Sequence, residues 1–298
     1  MKWLTRKWLA GWLAVPLVIV AATACGGRAG KRQVLQNKGS DTLVNVAQAW
    51  AEAYKDVNPA LAIAVTGGGS GTGIAALING TVDLANASRK MKRNEIDAAA
   101  KNGIEAVEFV VGFDALAVYV HEDNPIESIT LAQLAEIYGE GGEITKWSQL
   151  GITMPDEKSD EIILFSRQNN SGTYAYFKSA VLGKQREYKL GTRDLHGSKD
   201  VVEAAERTPG GIGYSGLAYA TEHVKLVRVA VEKGAAAVVP SITSAVDGTY
   251  PIARPLMMYS RGVPTGNVKE YLDWILSPAG QEIIVAKGYA PAARQAGE

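Results

Sequence analysis

The stretch Gly67-Gly-Gly-Ser70-Gly-Thr-Gly73 lies between two apolar runs, residues 61–65 before it and residues 74–78 after it. The first run predicts a buried strand and the second a helix. A glycine-rich turn that opens a helix directs backbone amides and the positive end of the helix dipole towards the space in front of it. The stretch therefore predicts an anion-binding turn, with a tight structural turn as the alternative.

A second stretch of this kind, Arg167-Gln-Asn-Asn-Ser171-Gly172-Thr173, follows the apolar run 162–165 and precedes a predicted helix at 174–181. A guanidinium offers paired donors that match two oxygens of a tetrahedral anion. The alternative is an arginine that pairs with a surface carboxylate. Two such turns, about 100 residues apart in the sequence, predict an oxyanion that is held from two sides.

Two further turns carry polar side chains at predicted strand ends. Thr42 precedes an amphipathic helix at 43–58, where its hydroxyl and the following amide can donate to an oxygen or, alternatively, cap the helix, with Asp41 or Thr42 as the N-cap. Ser88 and Arg89 follow the short apolar run 82–84. We expect both side chains to project into a cleft at the carboxyl end of that strand.

Predicted strands and helices alternate along the chain, which indicates an α/β fold with mainly parallel sheets. The apolar runs 107–120 and 252–259 are long enough to cross between two lobes as hinge strands. We therefore predict lobe I over residues 33–114 and 258–298, and lobe II over residues 115–257.

The first 24 residues predict a secretory signal segment, since a basic start is followed by an apolar run and small residues. Cys25, the only cysteine in the sequence, follows as a candidate lipidation site. The alternative is a transmembrane anchor. Residues 25–32 predict a flexible tether. We expect an exported protein that is anchored by lipid to the cell membrane.

Charge and composition argue against several classes of function. The sequence has 31 basic and 31 acidic residues, and loss of the first 24 residues leaves 28 basic ones, without any basic run. We therefore expect no nucleic-acid partner. Three scattered histidines and one cysteine predict no metal site and no cofactor. Gly213-Tyr-Ser-Gly-Leu217 lacks the last glycine of a hydrolase nucleophile elbow and is predicted to be a loop, so we predict no enzyme.

The motifs together resemble the phosphate-binding lipoproteins of the bacterial high-affinity phosphate ABC transporter, over essentially the whole mature sequence. The motifs that carry the resemblance are Gly39-Ser-Asp-Thr-Leu43, Gly69-Ser-Gly-Thr72, Thr81-Val-Asp-Leu-Ala-Asn-Ala-Ser-Arg89, Arg167 through Phe177 and Pro209-Gly-Gly-Ile-Gly-Tyr-Ser215. The resemblance implies the two-lobed periplasmic-binding-protein fold of type II with two hinge-crossing strands. It also implies a monomeric, non-catalytic receptor that delivers inorganic phosphate to membrane permease subunits.

Seven phosphate-binding residues follow from the resemblance. They are Thr42, through its hydroxyl, Leu43, through its amide, and Ser70, Arg167, Ser171, Gly172 and Thr173. Ser88 and Arg89 complete the predicted site from the turn described above.

The chain departs from the best-known members of that family at two positions. They carry aspartate where this chain has Ser88, and that carboxylate accepts the proton of hydrogen phosphate, so sulfate is excluded. They also carry an aspartate partner for the arginine where this chain has Asn169. Arg89 adds positive charge beside Ser88, as in a related branch. Asp41 is the candidate replacement proton acceptor. Receptors for other tetrahedral oxyanions, phosphate sensors without a permease and phosphate-ester hydrolases stay open as alternatives.

Overall fold

The computed structural model describes residues 33–155 and 159–292, so the predictions for residues 1–32, including Cys25, lie outside it. From Gln33 onward the described residues form one compact unit. The strands are β1 (Gln33–Gly39), β2 (Leu61–Thr66), β3 (Leu84–Ala87), β4 (Ala106–His121), β5 (Ser128–Thr130), β6 (Ile163–Arg167), β7 (Arg193–Leu195), β8 (Gly211–Gly216), β9 (Val224–Ala230), β10 (Ala253–Arg261) and β11 (Ala290–Pro291). The helices are α1 (Asp41–Val57), α2 (Ser70–Ile78), α3 (Arg93–Lys101), α4 (Leu131–Tyr138), α5 (Gly172–Phe177), α6 (Ser198–Glu206), α7 (Ile242–Val246), α8 (Gly266–Leu276) and α9 (Pro278–Ala286).

The strands of the described residues join in one mixed sheet, which confirms the predicted α/β class. Its main path runs β2-β1-β3-β10-β4-β8-β6-β7, with β9 and β11 on β4 and with β5 on β9. The pairs at the two ends of this path are parallel. Every pair that includes β4 or β10 is antiparallel. The expectation of mainly parallel pairing is therefore wrong for the middle of the sheet, because these two long strands run against their neighbours.

The two long strands connect separate parts of the hydrophobic core. Val111 of β4 packs in a cluster with Trp50 and Tyr271, whereas Val118 of the same strand packs in another cluster with Trp147. Strand β10 likewise contributes buried residues to the first cluster and contacts the second. The lobe boundaries stay a prediction. The prediction is supported by the two separate core clusters that β4 and β10 connect.

The structure differs from the sequence-based predictions at the start of α1 and at β8. Helix α1 begins at Asp41 with Ser40 as its N-cap, so the predicted caps Asp41 and Thr42 are wrong by one and two residues, and Leu43 lies on the buried face of the helix. Strand β8 occupies the stretch predicted as a loop, and it is buried throughout. Its glycines make this possible, since a Cβ on Gly213 would stand 2.7 Å from the Val201 side chain. Glycine thus permits close packing against α6 here, although it usually weakens a strand.

Among the described residues, we find no helix with the length and apolar character needed to cross a membrane.

Candidate anion-binding site

The two glycine- and serine-containing turns meet in the structure. The Gly71 amide donates to the Asn170 carbonyl over 2.9 Å, and the Asn170 side-chain amide donates to the Gly68 carbonyl over 3.0 Å. Gly69, the N-cap of α2, has a φ of 91°, a conformation that glycine adopts without steric cost. Segments about 100 residues apart in the sequence are therefore in direct contact.

The first residue of α5, Gly172, lies directly against the side chains of Ser70 and Ser88. A Cβ built on Gly172 would stand 2.3 Å from the Ser70 Oγ and 2.5 Å from the Ser88 Oγ. Only a glycine allows this approach without a shift of the backbone or the serines. The structure therefore brings together three of the predicted binding residues from three different segments.

A cluster of serine hydroxyls lies at the carboxyl ends of β1 and β3. The Ser40 hydroxyl donates to the Ser88 Oγ over 2.9 Å, and the Ser88 amide donates to the Ser70 Oγ over 3.0 Å. The Ser70 and Ser88 hydroxyl oxygens are 3.3 Å apart. All three side chains are buried. Sequence reasoning missed Ser40, although its position directly after a strand was a usable signal.

Thr42 and Thr173 form the other side of the site. Their Oγ1 atoms, from the first turns of α1 and α5, are 3.1 Å apart. The Arg254 Nη2 donates to both hydroxyl oxygens, over 3.2 Å to Thr42 and 3.0 Å to Thr173. The Thr42 side chain therefore takes part in tertiary contacts, and no side-chain cap bond is formed at the start of α1.

Arg167 is buried at the end of β6 and has partners on all sides. Its guanidinium donates to the Asp41 Oδ2 over 3.0 Å, to the Ser198 Oγ over 2.9 Å and to the His196 carbonyl over 2.7 Å. Burial lowers the pKa of Arg167, and the Asp41 charge acts in the opposite direction. The predicted alternative, an exposed surface pair, does not describe this arginine.

Asp41 supplies the carboxylate that the resemblance placed at position 169. Its Oδ1 accepts the Gly68 amide over 2.9 Å, while its Oδ2 accepts Arg167. Asn169 itself is exposed. The partner of the arginine therefore comes from α1, which no local pattern around Arg167 could reveal. A proton-accepting role for Asp41 stays a prediction.

Arg89 lies beside the site, and its guanidinium is paired with Glu95. Its Nη1 and Nη2 bind both carboxylate oxygens of Glu95 over 2.8 Å and 2.7 Å. This pairing lowers the pKa of the Glu95 carboxyl, although partial burial acts in the opposite direction. Binding of an anion by Arg89 stays a prediction, and it would require Arg89 to exchange or share these contacts.

Two predicted donors already serve the local backbone. The Ser171 Oγ accepts the Thr173 amide over 3.1 Å as the N-cap of α5, so that only its hydroxyl proton is free to point elsewhere. The Leu43 amide donates to the Ser40 carbonyl over 3.0 Å. Their roles in anion binding stay predictions.

The sequence analysis missed one charged pair entirely. Arg254 binds the Asp114 Oδ2 through Nε and Nη2 over 3.1 Å and 2.8 Å, and both side chains are fully buried. Both residues lie within runs that were read as apolar crossing strands. A charge inside such a run was the available signal, because buried charges need a partner.

The chemistry of this arrangement suits an oxyanion that accepts several hydrogen bonds. The site combines hydroxyl donors with two guanidinium groups in a buried setting, where charge-assisted hydrogen bonds are strong. Within residues 33–155 and 159–292, no three His, Cys, Asp or Glu side chains group in a way that could hold a metal ion.

Comparisons with known proteins agree with this chemistry. The family model described as PBP superfamily domain matches residues 26–279. The phosphate-binding protein PstS of Pseudomonas aeruginosa is 38% identical over 268 residues, which cover 86% of this chain and 82% of that protein. SphX of Synechococcus elongatus is 36% identical, covering 84% of this chain and 75% of that protein. A crystal structure of a putative phosphate ABC transporter substrate-binding protein from Clostridium perfringens, with bound phosphate, is similar with a TM-score of 0.77 and 27% identity, covering 88% of this chain and all of that one.

Proposed function

This chain belongs to the PBP superfamily and, within it, to the family of PstS phosphate-binding proteins, and we propose that it is an extracytoplasmic receptor for inorganic phosphate. The observation that carries the proposal is the convergence of Ser70, Thr42 and Gly172, from three separate segments, on one buried polar site. It is a binding protein and not an enzyme, as are the relatives named above.

Phosphate is an ion that offers hydrogen-bond acceptors on every side. Hydroxyl donors from Thr42, Ser70 and Thr173 complement those oxygens, and the Arg167 guanidinium adds positive charge. In a site with little water, each charge-assisted bond contributes about 1.5–3 kcal/mol. Binding at this site therefore needs no basic surface, in keeping with the balanced charge of the sequence.

The receptor works with the permease of an ABC transporter. We propose that residues 33–114 and 258–298 form one lobe and that residues 115–257 form the other, with closure over phosphate favoured because the closed state has contacts from both lobes. We further propose that it acts as a monomer that is tethered by lipid on Cys25 to the outer face of the cell membrane. The sequence around Cys25 supports the anchor.

Calorimetry against several oxyanions tests the proposal. A lipid-free chain that begins at Gly26 retains every residue of the compact unit from Gln33 onward. We expect tight binding of phosphate and weaker binding of sulfate, arsenate and molybdate. Absence of phosphate binding by the folded chain would reject the proposal, and tighter binding of sulfate or molybdate would redirect it to another oxyanion receptor. Hydrolysis of a phosphate ester, with or without added divalent metal, would contradict a purely binding role.

The lipid anchor has its own test. Labelling with radioactive palmitate should mark the wild-type chain and leave Cys25→Ser unlabelled. Equal labelling of both chains would reject Cys25 as the anchor without affecting the binding proposal.

A further inference from the structure

The pair of Arg254 and Asp114 occupies an unusual place in the sheet. The two residues lie directly opposite each other on the antiparallel strands β10 and β4, the long strands that connect the separate core clusters. Both side chains are fully buried. Burial raises the pKa of the Asp114 carboxyl, and the adjacent Arg254 charge acts in the opposite direction.

A buried ion pair of this kind is weak evidence for stability. Removal of two charges from water costs several kcal/mol per ion, and replacement of such a pair by apolar side chains is often neutral or stabilising. Stability alone therefore does not account for a charged pair at this position, which leaves room for another task. The contacts of the guanidinium indicate that task.

Besides its pairing with Asp114, the Arg254 guanidinium contacts residues on both sides of the anion site. Its Nη2 donates to the hydroxyl oxygens of Thr42 and Thr173, and its Nη1 donates to the Ser88 carbonyl over 3.3 Å. Burial is the main cause of the lowered pKa of Arg167, and the Arg254 charge lowers that pKa further.

The direction of these bonds restricts the threonine protons. A guanidinium has donors and no acceptor, so neither threonine hydroxyl can donate its proton to Arg254. The Nη2 atom has two N–H groups and also donates to Asp114, so the two threonine oxygens share its donors. The two oxygens are 3.1 Å apart, and only one of the two hydroxyls can donate to the other at a given time. At least one proton is therefore directed elsewhere, and an anion that binds here can accept from both hydroxyls once neither donates to the other.

We propose that Arg254 is a positioning residue of the phosphate site, held by Asp114, which turns the hydroxyls of Thr42 and Thr173 into donors towards the ligand. The inference rests on the proposed function and adds Arg254, beside Arg167, as a second arginine on which phosphate binding depends. Arg254 acts through the two hydroxyls. Because β10 carries Arg254 while α1 and α5 carry the threonines, one guanidinium orders donors from both sides of the site.

A mutant cycle in phosphate affinity tests this inference. The double change Arg254→Met with Asp114→Leu replaces the pair by apolar groups, and we expect it to fold while its phosphate affinity falls about 10- to 100-fold. In a background of Thr42→Val and Thr173→Val, the same replacement should cost less than about threefold, since the hydroxyls on which Arg254 acts are gone. Titration up to millimolar phosphate keeps the weak variants measurable.

Controls separate this inference from the proposed function. Arg261→Met removes an arginine of the same strand that pairs with Asp83 at the surface, and it should leave phosphate affinity unchanged. An equal loss in both threonine backgrounds, or no loss in either, would overturn the positioning role of Arg254. If the apolar pair fails to fold, the cycle is run with Arg254→Lys, which keeps the charge and loses the forked donors. Failure of the wild-type chain to bind phosphate would instead reject the function itself.

Discussion

Two buried arginines each pair with an aspartate at this site, but the pairs join different parts of the molecule. Arg167 at the end of β6 binds Asp41 of α1, which is 126 residues away in the sequence. Arg254 binds Asp114 across neighbouring strands of one sheet. If the lobes separate, the first pair can break, whereas the second is held by the register of β4 and β10. The pair of Arg167 and Asp41 would therefore depend on closure of the predicted lobes, whereas the pair of Arg254 and Asp114 would not.

Loss of Arg167 should have the largest effect on binding. We expect Arg167→Ala to weaken phosphate binding by about 100- to 1,000-fold, because a buried charged donor at the ligand contributes about 3–4 kcal/mol. Calorimetry measures the effect, and circular dichroism checks the fold. Arg186→Ala is the matched control, since Arg186 pairs with Glu136 away from the site. Wild-type affinity in a folded Arg167→Ala chain would remove Arg167 from the site.

Removal of the aspartate from each pair should lower the free energy of unfolding by different amounts. Asp114→Ala leaves the Arg254 charge buried and without its carboxylate, which we expect to lower the free energy of unfolding by about 3–5 kcal/mol. Asp41→Ala should cost less, since the Asp41 side chain is 14% exposed and Arg167 keeps Ser198 and the His196 carbonyl as partners. Urea unfolding compares the two variants. Equal losses would contradict the distinction between a fixed and a separable pair.

Asp41→Asn should change selectivity more than affinity. The carboxylate can accept the proton of hydrogen phosphate, and sulfate has no proton to offer at neutral pH. We therefore expect the preference for phosphate over sulfate to fall about 10-fold or more, the value of one hydrogen bond to a charged group. A competition titration measures the preference. Unchanged selectivity would leave Asp41 as a partner of Arg167 only.

Arg89→Ala should have the smallest effect. The Arg89 guanidinium is already paired with the Glu95 carboxylate, which offsets much of its charge before an anion binds. We expect less than about a fivefold change in phosphate affinity by calorimetry. A loss as large as that of Arg167→Ala would mean that Arg89 leaves Glu95 and binds the ligand.

Much of the site could be read from the sequence because its turns are local structures. The glycines before Ser70 and the Ser171-Gly172-Thr173 helix start have conformations that depend on a few neighbouring residues. Long-range partners could not be read in this way. Asp41 could be proposed near the anion, but its pairing with Arg167 depends on where the fold places the start of α1 relative to the end of β6.

The misreadings have the same origin. The glycines of β8 favour a loop by local propensity, and they form a buried strand because Val201 packs closely on Gly213. Arg254 was hidden in a run that is otherwise apolar, and its role becomes visible only when Asp114, Thr42 and Thr173 surround it. In both cases tertiary packing overrides the local pattern.

The sequence by itself determined the α/β alternation, the two helix-opening turns and therefore an anionic ligand, because strand periodicity, glycine backbone freedom and helix dipoles act over a few residues. Only the tertiary structure decided which carboxylate holds which arginine, that Arg254 faces the site and that Arg89 is bound by Glu95. Those choices depend on side chains that meet across separate segments, and their energies arise from burial and contact geometry, which sequence spacing does not encode.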